Sequence, residues 1–174
     1  RVLNNDGKYL TLLLDKPFTT APYFRDHFMP EEIIDETCVN YSNSYIRTYL
    51  NQHFYDHCFD DDEKKDIVYT DINFKYPVYS GEYPFNVSFD GHLTGKCTDK
   101  IYILSADDYK NSDYGFSKTG DASTSRTMKG KHKIKVWTRD IESAYVMYGV
   151  GSAVVVDTDG SLTSDPWNTH TNRS

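Results

Sequence analysis

Asn43-Ser44-Tyr45-Ile46-Arg47-Thr48-Tyr49-Leu50-Asn51-Gln52-His53-Phe54-Tyr55 is the stretch from which the fold class follows. Ile46, Leu50 and Phe54 recur at the fourfold spacing that lines one face of a helix, with Tyr45 and Tyr49 beside them. Asn43 or Ser44 offers a side-chain oxygen to cap it, so a helix running to about Tyr55 is predicted. Just beyond, Asp60 with Glu63 three residues later has the form of a reciprocal capping box, anchored by the apolar Ile67. Toward the start of the chain, Val2-Leu3, the turn formers Asn4-Asn5-Asp6-Gly7 and the apolar run Tyr9 to Leu14, expected to be a buried strand, predict a hairpin that Pro17 ends.

Downstream the pattern changes. Tyr69 to Gly95 is aromatic, punctuated by Pro and Gly and without helical period, and is expected to be a loop-rich insertion. Lys100-Ile101-Tyr102-Ile103-Leu104 reads as a strand, and Ser105 before Ala106-Asp107-Asp108 as the cap of a single helical turn. Asp113 to Lys133, rich in Ser, Thr, Gly and Lys, reads as a surface loop. Lys133 to Thr138, Ser143 to Val150 and Ala153 to Val156 read as strands, the last turning at Asp157-Thr158-Asp159-Gly160 into Leu162. Helices early and strands late make an α+β domain, and residues 1–174 are read as one domain.

Composition narrows the function. With 174 residues, 38% hydrophobic and 26% charged, the chain suits one soluble core. No apolar run approaches the roughly 18 residues a membrane helix needs, so no membrane span is expected. Nineteen basic against twenty-six acidic residues give a net charge of -7, which repels phosphate backbones and argues against nucleic acid. Fifteen Tyr, nine Phe and two Trp fit a β-rich domain or a contact surface, because a Tyr ring can be buried while its hydroxyl stays wet. Cys38, Cys58 and Cys97 are too widely spaced for a zinc pattern and are read as reduced core residues.

The motifs supply no catalytic constellation. Asp60-Asp61-Asp62-Glu63 lacks the glycine and alternating spacing of a calcium loop and reads as a helix start, and Asp157 to Gly160 as a hairpin turn. His53 and His57 stand four apart as in a zinc-protease helix, but Phe54 occupies the place of the glutamate. There is no Gly-x-Ser-x-Gly elbow and no phosphate cradle, so no catalytic residue, metal or cofactor is expected. Asn40-Tyr41-Ser42, Asn86-Val87-Ser88 and Asn172-Arg173-Ser174 match the N-glycosylation acceptor pattern.

The order of segments resembles an uncharacterised bacterial domain family. Its residues here are Arg1-Val2-Leu3, Ala21-Pro22-Tyr23, Asn43 to Asn51 with Phe54-Tyr55 and Phe59, and Glu63 to Ile67. Ser44-x-x-Arg47-x-Tyr49-Leu50-Asn51 is similar to the family's Ser-x-x-Arg-x-Trp-Leu-Asn, with Tyr49 in place of Trp. Thr98 to Ser105 is similar to its Asp-Lys-(aromatic)-x-Leu-Ser strand. Trp137-Thr138-Arg139 is similar to its Trp-x-Arg-Ser segment, with Asp140 in place of Ser. Asp159-Gly160 falls at its late turn, whereas its closing Gly-Val-Arg-Pro strand is missing, as though flanking segments and a final strand lay outside. The resemblance implies a C-type-lectin-like fold, shared with sulfatase-modifying factors: one or two helices packed on small antiparallel sheets with a large irregular loop region. Trp167-Asn168-Thr169 lacks the partner tripeptide of calcium-dependent lectins, and the cysteines do not form the oxidase pair.

The residues expected to contact a ligand are Trp137, Arg139, Tyr145, Tyr148, Trp167, Asn168 and His170, where aromatic faces, a guanidinium and an amide lie close in sequence. The plainer alternative makes Trp137 and Tyr145 core residues and Arg139 an ion-pair partner. The leading expectation is a noncatalytic recognition domain for a glycan or protein, extracellular or on the cell surface, in a bacterial secreted, surface or phage-associated protein. Its rivals are a structural module of a filament, capsid or surface array, self-associating through an open sheet edge, and an enzyme of unrecognised type.

Overall fold

A computed structural model describes residues 1–14, 21, 23, 40–80, 88–116, 136–145, 150–156 and 162–164. These form a mixed α+β arrangement of short helices and small antiparallel sheets. The predicted opening hairpin is present as β1 (Val2–Asn5) and β2 (Leu10–Leu12), but the second strand is not the buried one expected: Leu10 and Leu12 are exposed, and the buried apolar side chain is Leu3 of β1. Its turn is tied by the Asp6 carboxylate, which accepts from the Lys8 and Tyr9 amides at 2.9 and 2.7 Å, while Gly7 takes a φ of 87°. Leu3 faces inward with Leu104, Tyr109 and Phe116, flanked by Leu13 and Tyr114.

Ser44 caps the predicted helix, accepting from the Arg47 amide at 3.3 Å. The helix runs as α1 (Tyr45–Thr48), a π-helical stretch Tyr49–Phe54 and α2 (Tyr55–Cys58), and so passes Tyr55. Ile46 and Phe54 are buried and Leu50 half-buried, the face the spacing predicts. α3 (Asp61–Asp66) begins with the capping box, Asp60 accepting from the Asp62 and Glu63 amides and Glu63 accepting from the Asp60 amide. Cys58, the last residue of α2, is exposed at the helix end rather than in the core, Cys97 is half-buried, and Cys38 lies outside the described residues.

The expected loop over Tyr69 to Gly95 is instead mostly a long ribbon, β3 (Thr70–Ser80) paired antiparallel with β4 (Ser88–Asp99). The punctuation that suggested a loop fits the sheet for identifiable reasons. The Lys75 amide points away from β4, donating to Asp140 at 2.8 Å. Pro77, two residues on, turns its nitrogen the same way and forfeits no ladder bond. Gly95 lies opposite Phe74, whose ring occupies the space a Cβ would need. Gly91, at φ 118°, sits where the register shifts in a bulge.

Lys100 to Leu104 is not a strand: it runs without a ladder partner, and its main-chain groups are met by side chains from elsewhere. Ser105 caps α4 (Ala106–Lys110) with Asp108 completing the box, as the sequence predicts. Most of the expected surface loop after Asp113, and the Asp157–Gly160 turn, lie outside the described residues. The final sheet has the order β5 (Val136–Tyr145), β6 (Val150–Val156) and β7 (Leu162–Ser164), all antiparallel. Tyr23, Tyr41, Ile46, Ile72, Phe74 and Ile141 form the core between the helix, the ribbon and β5.

Candidate functional site

The polar side chains gathered where helix, ribbon and β5 meet form the candidate site. Arg47 reaches from α1 to the end of β4, its Nε donating to both oxygens of Asp99 at 2.8 and 3.0 Å and its Nη1 to the Ser42 carbonyl at 3.0 Å. Asp99 is almost fully buried, and a charge there is tolerable because a guanidinium meets it edge-on. The Cys97 thiol donates to the same carboxylate, and burial first, then the Asp99 charge, push its pKa up to about 11. It is therefore held as the protonated thiol at neutral pH.

Asn51, one turn beyond Arg47, acts as a clamp. Its Oδ1 accepts from the Lys100 and Ile101 amides at 2.9 and 3.1 Å, and its Nδ2 donates to the Ile101 and Arg47 carbonyls at 2.8 and 3.1 Å. It thereby serves the segment that has no strand partner, from within the π-helical stretch. The Lys100 ammonium donates to the Tyr55 hydroxyl at 2.6 Å and lies 4.1 and 5.0 Å from the ring centres of Tyr55 and Tyr69.

Thr138, Arg139 and Asp140 are all buried. In a regular strand neighbours would alternate between faces, but the register of β5 shifts between Trp137 and Ile141, and this irregularity turns successive residues inward. Arg139 donates to the Asn73 carbonyl at 2.6 Å and the Ile103 carbonyl at 2.8 Å, and pairs with Asp108 at 2.7 Å. Asp140 accepts from the amides of Lys75 and Ala106 at 2.8 and 2.7 Å.

Arg139 is thus placed inside, as the ion-pair reading has it. Trp137 and Tyr145 lie on β5, whereas Tyr148, Trp167, Asn168 and His170 lie outside the described residues. Asn40, of the first acceptor triplet, is buried and accepts from the Ser42 hydroxyl. Among the described residues no group of three His, Cys, Asp or Glu is placed to hold a metal, and no helix is long and apolar enough to cross a membrane.

What the sequence reading passed over is a row of rings on the helix: Tyr45, Tyr49 and His53, with centres 6.2 and 6.1 Å apart, ending in an exposed histidine. Its signal was the fourfold spacing of Tyr45, Tyr49 and His53, running parallel to the core face. A family described as a domain of unknown function (DUF6273) matches residues 11–172. No curated protein and no solved structure matches.

Proposed function

We propose, for a chain that belongs to the DUF6273 family of domains of unknown function, that it is a noncatalytic recognition domain binding a glycan or a protein. The observation that carries this reading is the internal commitment of its polar groups: the side chains of Arg47, Asn51, Asp99, Arg139 and Asp140 are spent on main-chain groups and on one another. A hydrolytic or transfer site needs such groups aimed at an open space. Recognition needs aromatic faces at the surface, and the Tyr45–Tyr49–His53 row runs from half-buried tyrosines, Tyr49 packed against the core, to an exposed imidazole.

The late segment with Trp137, Tyr145, Tyr148, Trp167, Asn168 and His170 remains the proposed ligand contact, on the strength of its sequence. Trp167 follows Pro166 among Asp165, Asn168 and Thr169 with no alternating apolar partner, a setting that suits a presented ring. We read the arrangement as C-type-lectin-like, supported by helices packed on small antiparallel sheets, and the setting as the surface of a bacterium or phage. In glycan and protein arrays, Trp167→Ala is expected to weaken binding by about 1 kcal/mol or more while leaving the unfolding midpoint in place. Trp137→Ala, in a strand, is expected to lower the midpoint. Unchanged binding by Trp167→Ala would remove the late segment from the site.

A further inference from the structure

Four elements send a polar side chain to one place beside the opening hairpin: Arg139 from β5, Asp108 from α4, Tyr102 from the unpaired segment and Tyr114 from the short 3-10 helix Ser112–Tyr114. Arg139 and Asp108 meet at 2.7 Å, the Arg139 guanidinium lies 5.6 Å from the centre of the Tyr102 ring, and Tyr102 stands beside Thr11 of β2. The Tyr114 hydroxyl is close enough to feel both charges: burial first, then the Asp108 carboxylate, raises its pKa, and Arg139 opposes them. Tyr102, Asp108 and Tyr114 are half-buried, and the Arg139 side chain, only 7% exposed, lies beneath them.

This cluster keeps bonding capacity in hand. Arg139 spends its Nε on the Asn73 carbonyl and its Nη1 on the Ile103 carbonyl and Asp108. Asp108 spends its Oδ2 on the Ser105 amide and on Arg139. Among the described residues nothing hydrogen-bonds Arg139 Nη2, Asp108 Oδ1 or the Tyr114 hydroxyl, and none of the three is a sealed polar atom, so water reaches them. A buried guanidinium normally has its donors taken up, and here one nitrogen is left beside an idle carboxylate oxygen.

We propose that this recess is the ligand contact of the recognition domain and takes a neutral sugar by two adjacent hydroxyl groups, an inference that rests on the recognition reading above and narrows it to a glycan. One hydroxyl oxygen accepts from Arg139 Nη2, the neighbouring O–H donates to Asp108 Oδ1, and the Tyr114 hydroxyl bonds to either. A hydroxyl both gives and takes a hydrogen bond, and so suits an idle donor next to an idle acceptor. An anion is disfavoured, because Asp108 cancels the Arg139 charge and the chain carries a net charge of -7. The rings of Tyr102 and Tyr114 flank the recess with apolar surface for the sugar's C–H groups.

Binding of the full chain to an array of glycans ending in glucose, galactose or mannose, printed beside sialylated and sulfated ones and beside a protein array, is the test. The unaltered chain is expected to prefer the neutral glycans. Tyr114→Phe removes a hydroxyl that bonds to no described residue, and is expected to weaken that binding about fivefold with the unfolding midpoint unchanged. Asp108→Asn is expected to weaken it about tenfold; where it also lowers the midpoint, Tyr114→Phe, which disturbs no bond of the fold, decides. Glycan binding indifferent to Tyr114→Phe would overturn this site, and its loss in Trp167→Ala alone would give the contact to the late segment. A preference for acidic glycans would overturn the neutral sugar. Binding on the protein array only would overturn the glycan and leave the recognition reading standing, whereas binding on neither array would end that reading as well.

Discussion

Asn51 shows how one side chain holds elements far apart in sequence: it bonds to two amides and one carbonyl of Lys100–Ile101 and to a carbonyl of its own helix. Removing it strands these main-chain groups in a half-buried place, and each such loss costs about 1 to 3 kcal/mol. Asn51→Ala is therefore expected to lower stability in urea by about 2 to 4 kcal/mol. Gln52→Ala, at the exposed neighbour, should change it by less than about 0.5 kcal/mol. Equal midpoints for the two variants would deny the clamp. The sequence marks Asn51 only as part of a resemblance, since its partners in Lys100–Ile101 stand about fifty residues away and no local rule connects them. Ser44, Asp60 and Ser105 were legible as caps because a cap bonds to an amide two or three residues on.

Elements were legible in proportion to how locally they are decided. The hairpin and the helices declare themselves through turn residues, caps and spacing. The ribbon declares itself less openly: Asp71-Ile72-Asn73-Phe74-Lys75-Tyr76 alternates as a strand should, but Pro77, Gly91 and Gly95 are the residues of loops unless the partner strand is known. Lys100 to Leu104 errs the other way, strand-like in composition but lacking a ladder partner. The pairing of Phe74 with Gly95 gives the ribbon its own test. A methyl at residue 95 meets a ring that is itself in the core, so Gly95→Ala should cost about 1 to 3 kcal/mol as an overpacking change. Thr94→Ala, on the outward face beside it, should cost far less when both are measured by thermal unfolding. If Gly95→Ala proves neutral, the ring moves freely and the Phe74 contact is not tight.

Across the whole molecule, burial shapes the response to pH. Tyr23, Tyr41 and Tyr109 have their pKa values raised above the ordinary tyrosine value of 10, in each case chiefly by loss of hydration. The folded state thus keeps protons that the unfolded state gives up as pH passes about 10, and stability falls with rising pH in that range. Alkaline unfolding should accordingly be cooperative. Phenolate absorbance from these tyrosines should appear together with the loss of ellipticity, after that of exposed ones such as Tyr9 and Tyr69; ionisation of all fifteen tyrosines at about pH 10 with the fold intact would contradict the burial. A different consequence follows from the inward-turned Arg139–Asp140 pair. The main-chain groups that its side chains hold lie 34 to 66 residues earlier in the chain, at Asn73, Lys75, Ile103 and Ala106. During synthesis on the ribosome the ribbon and α4 emerge first, with the edge of β3 bare until residue 140 leaves the exit tunnel. Closure of that edge waits for β5, and for that interval the nascent chain depends on whatever shields an unclosed strand from its neighbours.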